Sequence, residues 1–122
     1  MLAASVYKNI HLLGVFMVLM ALGGVILHHI LGGARQHAWR KPVAITHGIG
    51  LVLVLLGGFG MLARLGIHWP WPGWVLVKLA IWMVFGALSA VVARSTTLAQ
   101  PLWWGSIILA GLAAYLAIHK PF

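Results

Sequence analysis

The run NIHLLGVFMVLMALGGVILHHILGGA, residues 9–34, carries no Lys, Arg, Asp or Glu over 26 positions and is bounded by Lys8 and Arg35. A helix rises about 1.5 Å per residue, so about 20 apolar residues cross the hydrocarbon of a bilayer. Two further uncharged runs have the same reach: 22 residues between Lys41 and Arg64, and 25 between Arg94 and Lys120. A fourth span, from about Trp74 to Arg94, is interrupted only by Lys78. Of the 122 residues, 63% are hydrophobic and 7% charged; soluble domains hold roughly 45–50% and 25%. A soluble fold built from this chain would have no surface to turn to water. The pattern implies an all-α integral membrane protein, one transmembrane domain over residues 1–122.

The punctuation between the runs sets the expected boundaries. Gly32-Gly33 is a helix C-terminal signal, and Pro42 suits the first turn of the next helix. The stretch Gly66-Ile-His-Trp-Pro-Trp-Pro-Gly73 cannot stay helical, and its Trp69, Trp71 and the following Trp74 suit the headgroup layer. Ser95-Thr96-Thr97 forms a short turn, Pro101 opens the last helix and Pro121 closes it. Helices are therefore expected at about 5–31, 43–65, 74–94 and 101–119. The first reads as a retained membrane helix, because its apolar run is far longer than the 7–15 residues of a signal core. Short connections make neighbours antiparallel, which gives an up-down-up-down four-helix bundle.

Call side X the membrane face with both termini and the second loop, and side Y the face with the first and third loops. Arg35, Arg40 and Lys41 cluster on side Y, so the positive-inside bias makes side Y cytoplasmic and the protein N-out, C-out. The expected location is a bacterial inner membrane. The formal net charge is +8, with no Asp or Glu. The cations are spread along the chain in no basic patch, so membrane lipids are the expected partners and nucleic acid is not. Carboxylate pairs for hydrolysis, carboxylate proton relays and oxygen-rich Ca or Mg sites cannot be built from this chain alone. The absence of Cys removes disulfides, thiolate metal sites and iron–sulfur ligation.

Seven histidines remain to be explained. His11 and His29 are 18 residues apart, five turns, so they share a face about 27 Å apart along the helix. His28 points about 100° away from that face. His47 is expected level with His28 and His29 on side Y, and Lys78 level with His11 on side X. Ionisable groups inside a bilayer are costly and usually face a bundle interior or a cavity. Lys78 has two readings: a stem that snorkels to the headgroups, or a cation that meets a foreign ligand. Imidazole is a standard axial ligand of haem iron and the commonest metal ligand. Glycines at Gly14, Gly23, Gly24, Gly48, Gly50, Gly57, Gly58 and Gly60 either let helices pack closely or let a flat macrocycle approach. A zinc or copper site at His28, His29, His37 and His47 matches no tight motif. Met17, Met20, Met61 and Met83 could pass copper but are ordinary apolar filling. Tyr115 and His119 share a face of the last helix.

The segment YKNIHLLGVFMV, the basic first loop and WPGWVLVKLAIW together resemble the HemJ-type protoporphyrinogen oxidases and the related SirB-like and CopD-like small membrane families. The specific matches are His11 and the segment Pro72 to Leu79. The resemblance implies a four-helix membrane protein that binds haem b, with His11 and Lys78 as its functional residues; His28, His29 and His47 lie outside that pattern. The first expectation is a haem b protein of porphyrin oxidation or membrane electron transfer, whose cofactor-binding candidates are His11, Lys78, His47, His29 and His28. No residue is singled out as catalytic or as a ligand of a bare metal ion. The second is a non-catalytic structural subunit of a larger respiratory or photosynthetic membrane complex, or a homodimer; a metal permease is third. The orientation is directly testable. A Gln36→Cys variant in intact cells should resist membrane-impermeant thiol reagents and react only after permeabilisation; labelling from outside would invert the topology.

Overall fold

The computed structural model describes residues 3–121, and the elements found there are helices: α1 Ala4–Ile30, α2 Arg40–Arg64, α3 Gly73–Arg94, a 3-10 turn Thr96–Leu98, and α4 Ala99–His119. All four α-helices are long and apolar enough to cross a membrane. The sequence placed three of the four starts within two residues but began α2 at 43, three residues late. Pro42 falls inside the first turn of α2, and Pro101 falls likewise inside that of α4. The first four N–H groups of a helix have no intrahelical acceptor, so a proline there forfeits nothing.

The ends of α1 and α2 follow from glycine. Gly32 has φ +80°, with its N–H on His29 O at 3.1 Å and the Gly33 N–H on His28 O at 2.9 Å. Gly66 repeats the device with φ +73°, its N–H on Ala63 O at 3.2 Å and the Ile67 N–H on Leu62 O at 2.9 Å. This paired bonding around a left-handed residue is the Schellman stop, which a side chain with a Cβ adopts only under strain.

The helices fall into two compact units. One joins α1 up to Ala21 with Trp39–Trp71; the other joins Leu22–Ala38 with the chain from Pro72 onward. In the first unit the contact between α1 and α2 is made by backbone. A Cβ placed on Gly14 would stand 2.6 Å from Gly50 O and 2.7 Å from Val54 N, and one on Gly57 would run into the backbone of Tyr7 and His11. Gly60 faces the Tyr7 ring at the same closeness. The start of α1 therefore lies against the end of α2, and the two run antiparallel. Small residues at such a contact are what apolar solvent favours, because lipid gives helices no hydrophobic reason to associate and only close packing remains.

The second unit packs by side chains. Val75, Ile81, Phe85, Leu88 and Val92 recur along one stripe of α3 and are buried, Val92 completely. Ala99 and Leu116 of α4, with Leu22 and Ile26 of α1, complete its buried set. Lys120 Nζ at the end of α4 lies 5.6 Å above the Trp74 ring at the start of α3, so these two helices also run antiparallel.

The glycine contact yields a stability test. Gly57→Ala should lower the unfolding free energy by about 1–3 kcal/mol, the cost of overpacking. Gly111, whose Cβ would meet nothing within 4 Å, should tolerate alanine within about 0.5 kcal/mol. Denaturant titration in mixed micelles followed by circular dichroism measures both; equal effects would dissolve the backbone contact.

Candidate functional site

His11 sits one turn beyond Tyr7 on the face of α1 that meets α2. Its Nδ1–H donates to the Val54 carbonyl oxygen at 2.9 Å. A carbonyl can only accept, so in the neutral ring the bond assigns the proton to Nδ1 and the lone pair to Nε2. Imidazoles that ligate a metal nearly always donate their other nitrogen to a carbonyl or carboxylate, which fixes tautomer and ring orientation. The geometry depends on the neighbouring glycines. A Cβ on Gly58 would stand 3.5 Å from His11 Nδ1, and Gly57 admits the backbone of His11 itself. His47 belongs to the same unit and is buried, 7% exposed.

The second unit holds a different group. The His28 ring centroid lies 4.2 Å from that of His37 and 5.5 Å from that of His29. His28 Nε2–H donates to the Ala34 carbonyl at 2.7 Å, within the loop that follows the Gly32 stop. His29 is 8% exposed, and its buried Nδ1 has no hydrogen-bond partner among the described residues. The sequence paired His28 and His29 with His47 and gave His37 a place only in a loose metal set; the structure makes His37 the nearest ring to His28. That closeness arises because the Schellman turn folds the loop back over the helix end, which residue spacing alone does not show. Among the described residues, no three histidines have a geometry that could hold a metal ion.

Lys78 lies on the stripe of α3 occupied by Val75, Ile81 and Phe85, and it is half-buried. By helical spacing it also shares a face with Phe85 and Ser89, about two and three turns further on. The same end of the second unit carries Lys120 over Trp74, and Tyr115 stacked on His119 with centroids 4.5 Å apart. Ser106, whose buried Oγ has no hydrogen-bond partner among the described residues, was not anticipated. A lone serine in an apolar helix carries no periodic signal.

No family model, curated protein or solved structure matches this chain.

The unpaired nitrogen of His29 makes a discriminating test. A buried polar atom without a partner costs about 1–3 kcal/mol, and replacing it by an apolar group of similar size is neutral or better. His29→Leu should therefore leave unfolding in micelles unchanged or raise stability by about 1 kcal/mol. A loss of about 2 kcal/mol or more would mean that the imidazole is bonded in the membrane.

Proposed function

We propose that this protein is a haem b-binding membrane protein of the HemJ-like, SirB-like and CopD-like group, acting in porphyrin oxidation or membrane electron transfer. The reading is carried by one observation, the His11 Nδ1–H bond to the Val54 carbonyl oxygen at 2.9 Å. It fixes the tautomer and holds the ring to one helix face, as the rings of metal-ligating histidines are usually held. The donor set suits the cofactor, since imidazole is a common axial ligand of haem b. Haem supplies one-electron chemistry, and the protein's part is ligation, orientation and a dry setting.

In this reading His11 would hold the haem iron through its imidazole. Lys78 stands at a depth where the chain offers no carboxylate, and its ammonium suits a propionate; as a neutral amine it could ligate instead. His28 and His29 in the second unit, and His47 in the first, are the further cofactor-binding candidates. The four helices form an up-down-up-down bundle, N-out and C-out, in a bacterial inner membrane. The runner-up, a non-catalytic subunit of a larger membrane complex, needs no cofactor. Metal transport is the third reading.

A visible spectrum of the protein purified after expression with haem precursors decides between them. A Soret band is expected that shifts on reduction. His11→Ala should abolish it and Lys78→Met should strip or strongly perturb it, both with unchanged helical circular dichroism. His47→Ala should spare it; loss of haem in that variant with His11 intact would move the ligand to His47. No Soret absorbance in the parent protein would leave the subunit reading.

A further inference from the structure

The first unit carries an apolar groove of about 510 Å³, lined by Tyr7, Val52, Leu55, Leu56, Phe59 and Gly60. Val52, Leu56 and Gly60 are four residues apart, so they form one stripe along α2, and the groove runs about 12 Å along it. One leaflet of hydrocarbon is about 15 Å deep, so this length covers most of a leaflet. The groove exists because Gly60 has no side chain: a Cβ there would strike the Tyr7 ring, so that ring forms one wall against α2. Val52 and Leu56 are more than half exposed, so the groove opens outward from the unit.

Charge marks one end of it. The stripe 52, 56, 60 continues to Arg64, the last residue of α2, which is exposed; Lys8, also exposed, follows Tyr7 on α1. Phe59 stacks on Trp71 with ring centroids 5.3 Å apart, and Trp71 meets Trp69 edge-on at 5.2 Å. An apolar channel of leaflet length therefore leads to two cations and a tryptophan pair, in a chain with no acid to answer either cation.

We propose that this groove is the seat of one resident anionic phospholipid. An acyl chain lies along the Val52–Leu56 stripe, flanked by the Tyr7 ring where it closes on Gly60, and Arg64 and Lys8 meet the headgroup phosphate. Arg64 offers the phosphate a paired set of N–H donors, and each cation near an anionic headgroup favours binding by about fivefold. Trp71, held by Phe59, stands where amphipathic rings anchor at the headgroup level. The site requires nothing of His11 or of a cofactor.

Native mass spectrometry of the full chain, released from nanodiscs of equal phosphatidylglycerol and phosphatidylcholine, tests the site. One phosphatidylglycerol adduct should persist at activation energies that strip phosphatidylcholine. Arg64→Gln should lower its retention about fivefold, and Arg64→Gln with Lys8→Gln about twentyfold or more. Arg94→Gln, a cation of the second unit, should change nothing. Val52→Trp should fill the groove and expel the adduct while helical circular dichroism is kept. Equal retention of both lipids, or loss on Arg94→Gln equal to that on Arg64→Gln, would reduce the groove to ordinary solvation by lipid and overturn the proposal.

Discussion

The contact of α1 with α2 through Gly14, Gly50 and Gly57 is the constraint on which the first unit rests. It brings two helical backbones to a distance that any side chain would prevent. Only at that distance does an imidazole on one helix reach a carbonyl oxygen on the other, because helical carbonyls point along the axis and lie under their own side chains. The His11 bond is thus a product of the glycines as much as of the histidine. The Tyr7 wall of the groove has the same origin at Gly60, so one packing device supports both features.

A second constraint acts through what the chain lacks. Eight cations and no carboxylate mean that every charge must be met by water, lipid or a ligand. At the ends of the helices lipid phosphate does this readily. Lys78 is different: it occupies a stripe otherwise filled by Val75, Ile81, Phe85, Leu88 and Val92, where an apolar residue would pack at no cost. A lysine at such a place must carry its ammonium along its stem to the headgroups or hold a ligand.

Much of the fold could be read before the structure because its signals are local. Charge-free runs set the spans, and Gly32 and Gly66 set two of the stops. The misplaced start of α2 came from beginning the helix just after Pro42, although a proline is equally harmless at the third helical position, where Pro42 stands. The candidate site was legible only in part. His11 and Lys78 stood out as ionisable groups at membrane depth, but the bond to Val54 depends on which α2 carbonyl α1 reaches. Likewise His37 approaches His28 through the backbone turn at Gly32, and the groove depends on an absent side chain at Gly60. Contacts between residues distant in sequence leave no periodic trace.

The two Schellman stops have a consequence for the bilayer itself. They fix α1 at 27 residues and α2 at 25, whereas α3 has 22 and α4 has 21. At 1.5 Å per residue, α1 is about 40 Å long and α4 about 32 Å, against a hydrocarbon core of about 30 Å. The shorter helices match that thickness closely; the longer ones exceed it, and tilt or local thickening must absorb the difference. Thickness therefore acts unequally within one chain. A thinner membrane leaves the largest excess on α1 and α2, the helices that carry His11 and the groove, and a smaller one on α3 and α4.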